Sequence, residues 1–366
     1  RTNFRDRPLG IGVSGLAETF ALLDIYYESH EAEILNKMIF ACMYYNGLLE
    51  SMRLSEKYGP YETFRYGSFE AYDVESQTFK TYEGSPLSNG MFQFDLWQQE
   101  ADYLKSIDRL DEEIYRTSDN IPIEPQAWGQ IGSWNTLRDL VMKNGVRNSM
   151  LLAIMPTASS AQQLRNGEST EAHQTCLYSR KLSKGNFTVF SETFVADIRK
   201  LWEKEVVDFM ICCGGTVQYL HHFLKDFPKF VTDKLQIPGK TLDETIKHLQ
   251  QKHKNMFEIS QKTTMRMTRQ RGIYVDQSQS LNIYIADPNI DKMMAVHCYG
   301  ESLRLKTGMY YLRAKPASET GKFTIDLQIQ QYAKQFVDNS QKNIVSKVAP
   351  AMCKRINGEI ECVSCQ

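Results

Sequence analysis

Residues 148–162, NSMLLAIMPTASSAQ, constrain the fold more than any other stretch of this chain. The apolar run ending at Met155 reads as a short buried strand. Pro156 breaks it, and the small residues Thr157, Ala158, Ser159 and Ser160 open a helix. A buried strand that runs straight into a helix is the unit of a parallel sheet, whose strands need crossover connections.

The rest of the chain repeats that alternation. Residues 8–58 read as helical, with apolar residues at three- and four-residue spacing until Gly59-Pro60 stops them. Residues 60–95 read as loop, rich in Tyr, Gly and Ser, and residues 96–145 as further helix interrupted by NIPIEPQAWGQIGS. GNFTVFSETFVADIRKLWEKE predicts a strand leading into a helix, and TLDETIKHLQQKHKNMFEISQKTTMRMTRQRG one long amphipathic helix. IYVDQSQSLNIYIAD is strand-like on both sides of a polar centre, DKMMAVHCYGESLRLKTG is helical, and MYYLRAK is a strand. The alternation predicts an α/β fold with buried parallel strands. From Pro316 onward the chain turns polar, and residues 321–366 are expected to form a flexible tether ending in Cys362 and Cys365.

Composition removes several function classes. A formal net charge of −1 leaves no electrostatic footprint for nucleic acid. No apolar run reaches membrane-spanning length. The eight cysteines are scattered and do not read as a disulfide framework, so a reducing, cytoplasmic compartment is the expectation. The chain opens on Arg1 and reaches RPLGIGVSGLAETFALL almost at once, so it is expected to begin inside a larger protein.

Several motifs bear on chemistry. GIGVSG (Gly10, Gly12, Gly15) matches the G-x-G-x-x-G of dinucleotide loops, but RTNFRDRP before it is no strand. A glycine-bearing helix start packed closely on a neighbour is expected instead. MPTASS places small residues and hydroxyls at a helix start, which fits a phosphate cradle, although the spacing alone favours an ordinary Ser/Thr cap. Tyr310 and Tyr311 suit a pleated strand, and adjacent phenols also suit a redox relay, with Gly308 permitting a backbone that stacks the rings. The polar run DQSQSLN (residues 276–282) either lines a site or closes a hydrogen-bonded turn. Cys212 and Cys213 are adjacent, too close for an easy disulfide, and read as structural. Cys362 and Cys365 are spaced as a dithiol that cycles with a disulfide, an inert tail being the bland reading. Zinc is short of ligands, since Cys353 and this pair make three and no histidine follows His297.

Taken in order, RPLGIGVSGLAETF, GPYET, YEGSPLSNG, NSMLLAIMPTASSAQ, RGIYVDQSQSLNIYIADPN, LKTGMYYLRAKPA and CVSC resemble the large (alpha) subunit of class I ribonucleotide reductase, of the eukaryotic and large-virus type. The resemblance covers nearly the whole chain. It implies the second half of a ten-stranded α/β barrel over residues 1–320, with the flexible tail after it. It implies reduction of ribonucleoside diphosphates to deoxyribonucleoside diphosphates by radical chemistry. Pro156, Thr157, Ala158, Ser159 and Ser160 would hold the substrate phosphates. Tyr310 and Tyr311 would be a stacked pair passing a radical inward from a small subunit. Cys362 and Cys365 would re-reduce the active site and be reduced in turn by thioredoxin or glutaredoxin. No metal or cofactor is implied in this chain: the radical comes from a metal-containing small subunit, and ATP and deoxynucleotide effectors bind the amino-terminal half. The complete subunit would form a homo-oligomer, without direct contact to DNA or membrane.

The family's thiyl-forming cysteine sits in an Asn-x-Cys-x-Glu loop, and no such motif occurs in this chain. The chain is therefore expected to be a carboxy-terminal half, inactive alone and completed by its amino-terminal half. RYGSFEAYDVESQTFK, between GPYETF and TYEGSP, reads as a surface insertion, and residues 98–133 as a lengthened linker. The alternative is a catalytically inactive relic that binds the small subunit or a nucleotide. The intact MPTASS, MYY and CVSC motifs favour the enzyme.

Overall fold

The computed structural model describes residues 2–107, 121–182, 185–199, 203–228, 240–315, 325–345, 354–356 and 359–361. Along the chain the elements are α1 (Thr2–Asp6), α2 (Leu16–Leu22), α3 (His30–Tyr58), the hairpin β1–β2 (Ser68–Asp73, Thr78–Glu83), α4 (Gln93–Ser106) and α5 (Trp134–Asn144). Then come α6 (Ala158–Leu164), the hairpin β3–β4 (Leu177–Leu182, Gly185–Phe190), α7 (Glu192–Ile198), α8 (Lys204–Cys212) and α9 (Leu220–Asp226). The last are α10 (Leu242–Lys252), α11 (Gln261–Gly272), β5 (Asn282–Tyr284), α12 (Ile290–Ser302), β6 (Tyr311–Arg313), α13 (Leu327–Val345) and the short pair β7–β8 (Lys354–Ile356, Glu359–Glu361).

Four short extended segments lie side by side in chain order, all parallel. Ile11 bridges Leu152, Ile154 bridges Gln279, and β5 pairs with β6. Backbone bonds seat the first on the second (Ile11 N to Leu151 O, 2.8 Å) and the second on the third (Ser280 N to Ile154 O, 2.7 Å). The intervening helices are the crossovers that parallel neighbours require. The frame is an open arc of an α/β barrel, and among the described residues the sheet does not close on itself.

Helices form where the sequence caps them. Ser29 accepts the Ala32 N–H at the start of α3, and Gly59, with φ +77°, ends it. Phe40, Ala41, Tyr44, Leu48 and Met52 recur at helical spacing on its buried face. They meet Phe92, Phe94, Trp134 and Tyr274 in one core, where Trp134 stacks on Tyr274 at 6.1 Å. Each such side chain contributes roughly 1.5–3 kcal/mol by leaving water. A second core joins α7, α8, α9 and α10.

Four expectations need correction. Residues 8–58 are not helical throughout, since residues 8–15 and 23–29 lie outside α2 and α3. Residues 60–95 are not all loop: the insertion folds as the hairpin β1–β2, its turn held by Asp73 accepting from Ser76 and pairing with Lys80 at 2.8 Å. Phe79 and Tyr72 then pack on Tyr103 of α4. The single long amphipathic helix is two helices, α10 and α11, and α11 is buried nearly all round because cores lie on both sides of it. Finally, residues 325–337 are packed rather than tethered: Ile325, Ile329 and Ala333 dock on the second core, and the Tyr332 hydroxyl donates to Asp226 at 2.5 Å.

Candidate functional site

Two loops meet at the carboxy-terminal ends of the first and second parallel segments. Thr157 stands at the N-cap of α6, but its side chain makes no capping bond. Its hydroxyl accepts the Ser169 N–H at 2.8 Å and donates to Ser14 Oγ at 3.4 Å. Pro156, Ala158, Ser159 and Ser160 are exposed, so the start of α6 faces outward. Ser14 Oγ donates to Asn166 Oδ1 (3.0 Å) and Gly167 O (3.1 Å), and the Gly15 N–H donates to Gly167 O.

The glycine motif behaves as a close-packed helix start. Gly15 has φ +81°, and a Cβ at Gly12 would lie 2.7 Å from the backbone oxygen of Ala153. That oxygen cannot move without breaking the arc, so glycine is required there. Ser14, Asn166 and Ser169 were not singled out in the sequence. Ser14 lies inside GIGVSG, and the turn residues of RNGES were the local signal for Asn166 and Ser169.

Beneath these loops lies a buried acid. Glu171, only 5% exposed, accepts from the Tyr284 hydroxyl at 2.5 Å. Burial pushes its carboxyl up to about 7, against the pull of that hydrogen bond. Nearby, Glu18 pairs with His173. Burial raises the Glu18 carboxyl, but the hydrogen bond and charge of His173 outweigh it and bring it below its ordinary value.

Tyr310 and Tyr311 sit at the outer edge of the arc. Their ring centroids are 4.4 Å apart at 65°, so the rings meet edge to face and are not stacked as expected. Neighbours on a regular strand point to opposite faces. Here β6 begins only at Tyr311, and the bend at Tyr310 brings both rings to one side. The Tyr311 hydroxyl beside it raises the Tyr310 phenol. Arg313 lies 5.0 Å from the Tyr311 ring.

The register relates the two places. Ile154 is level with Gln279, and Asn282 is level with Tyr311. Both places thus border the third segment, and the Leu281 carbonyl of that segment accepts the Tyr310 N–H at 2.6 Å.

The polar run 276–282 closes hydrogen bonds within the arc. Asp276 accepts the Leu151 and Leu152 N–H groups at 2.8 Å each, and Gln277 donates to Leu9 O at 2.7 Å. Gln279 accepts from the fully buried Arg271 at 2.7 Å and donates to Thr268 O. Lys306 approaches the same corner, where burial pushes its amine down to about 8 against the attraction of Asp276.

Cys362 and Cys365 lie outside the described residues. Cys213 is buried and Cys212 half-buried at the end of α8, as suits structural residues, and burial pushes the Cys213 thiol up to about 12. Among the described residues no helix is long and apolar enough to cross a membrane, and no His, Cys, Asp or Glu cluster could hold a metal.

Comparison with known proteins adds three findings. Residues 1–311 match the family model described as "Ribonucleotide reductase, barrel domain". The chain is 38% identical over 327 residues to the ribonucleoside-diphosphate reductase large subunit of Monkeypox virus, covering 89% of this chain and 34% of that protein. It is 34% identical over 366 residues to the large subunit of Danio rerio, covering 100% of this chain and 38% of that protein. The chain therefore spans about a third of the length of these curated relatives. Among solved structures it is similar to the Actinobacillus ureae class Id ribonucleotide reductase alpha subunit, with a TM-score of 0.52 over 87% of this chain and 41% of that one. At 19% identity that likeness concerns the fold alone.

Proposed function

Because the chain belongs to the ribonucleotide reductase barrel-domain family, we propose that it forms the substrate-phosphate and radical-transfer part of a ribonucleoside-diphosphate reductase large subunit. Removing a 2′-hydroxyl needs radical chemistry, and a radical generated on another subunit needs a path. Residues 156–160 hold the diphosphate through backbone N–H groups and hydroxyls at the start of α6. Tyr310 and Tyr311 pass an electron and a proton between themselves, edge to face, toward the barrel interior. A metal-containing small subunit supplies the radical. Cys362 and Cys365 return the active-site disulfide to thiols, with thioredoxin or glutaredoxin as the external reductant.

The register is the observation that most supports this reading. The third segment bridges the strand that ends before residues 156–160 on one side and pairs with the strand that carries Tyr311 on the other. The test uses the complete large subunit with its small subunit. Tyr310→Phe and Tyr311→Phe should each abolish deoxynucleoside diphosphate formation while leaving substrate affinity unchanged. Phe keeps the ring but has no phenolic proton to give. Substantial turnover in either variant would remove the relay.

A further inference from the structure

β5 and β6 pair over only three residues each. So short a ladder sets its own register weakly, and a one-residue slip would move the tyrosines by about 3.3 Å and turn them to the other face. Core packing does not hold them either, since Tyr310 is 46% exposed and Tyr311 51%.

Lys306 lies in the loop just before Tyr310. Its ammonium donates to Gln93 Oε1 at 2.9 Å, Val275 O at 2.8 Å and Asp276 O at 2.9 Å. Three bonds use every donor an ammonium has. Asp276 in turn takes the N–H groups of Leu151 and Leu152 on its carboxylate. The amino-terminal ends of the second, third and fourth segments are thereby joined by charge-assisted hydrogen bonds. Gln93 ties the same corner to the start of α4.

We propose that Lys306 is the register pin of the arc, a positioning residue that holds Tyr310 and Tyr311 in place against the third segment. What the tyrosines do rests on the functional reading above; the pin itself rests on the geometry. An exposed lysine with a purely solvating role would leave its ammonium in water. This one spends it on two backbone carbonyls and a side-chain amide of other elements.

The test compares Lys306→Met, Lys306→Arg and Gln93→Ala in the complete large subunit. Two readouts are followed: amide hydrogen exchange over residues 307–313, and the kcat and KM of nucleoside diphosphate reduction. Lys306→Met should lose exchange protection at Tyr310 and along β6 while the helical cores keep theirs. Its kcat should fall about tenfold to a hundredfold, as for a misplaced reacting group, with KM within about twofold. Lys306→Arg should recover part of both, and Gln93→Ala should show a smaller loss of the same kind. Wild-type protection and kcat in Lys306→Met would overturn the pin, as would loss of protection throughout the chain without recovery by arginine. Should Lys306→Met fail to fold, Gln93→Ala decides: unchanged protection at Tyr310 overturns the proposal. If Tyr310→Phe proves active, the relay falls but the exchange result still judges the pin.

Discussion

Glu171 is a carboxylic acid whose ionisation the fold resists. Burial pushes its carboxyl from an ordinary value of 4.5 up to about 7. Between those values the folded state holds a proton that the unfolded chain has released. The stability it contributes is therefore full below the lower value and is lost as pH rises through the upper one. Relative to Glu171→Gln, which keeps an acceptor for Tyr284, the natural chain should lose on the order of 3 kcal/mol between about pH 4 and pH 8. Urea denaturation of both proteins at the two pH values measures this, and a pH-independent difference would contradict it. Nothing local marked Glu171 in the sequence. Its partner Tyr284 is 113 positions away, and Ser14 and Asn166 are 152 apart. Tyr310 and Tyr311 stood out because they are adjacent, a property the sequence carries by itself.

Among the elements, α6 has the clearest test. Its start is exposed, and the Thr157 hydroxyl is turned away from capping. A Ser159→Asp change places an anion where phosphates are proposed to sit. Helix stability should hold or rise slightly, because a carboxylate near a helix start is favourable. Nucleoside diphosphate affinity of the complete subunit should drop at least about tenfold, a repulsion of roughly 1.4 kcal/mol or more. Calorimetric titration beside a thermal melt separates the two effects; undiminished affinity in a folded variant would return MPTASS to an ordinary helix start. Of the helix ends, the stop of α3 at Gly59 was legible, while its start at Ser29, inside a stretch read as helical throughout, was not. The break between α10 and α11 was not, since a helix buried on all sides has no amphipathic period to read. The hairpin β1–β2 was missed because it is held by contacts with α4 as well as by its own turn.

At the scale of the whole molecule, the proposed function requires a reductant to reach the barrel interior after each turnover. In the complete enzyme, Cys362→Ser and Cys365→Ser should each abolish multiple turnover with thioredoxin and spare it with a small dithiol that reaches the buried disulfide directly. Equal loss with both reductants would end the shuttle role. The sequence by itself determined the alternation of strand and helix, the family through the order of its motifs, and the residues whose chemistry is carried by neighbours in the chain. These are properties of short windows, where side-chain period, proline and glycine act locally. Only the tertiary structure decided the register of the four parallel segments, the edge-to-face tyrosines, the buried acid beneath the two loops and the lysine that joins three strand ends. Each depends on groups brought together from distant parts of the chain by hydrophobic burial, which has no direction of its own. The hydrogen bonds that must then be satisfied inside choose one arrangement among those that burial allows.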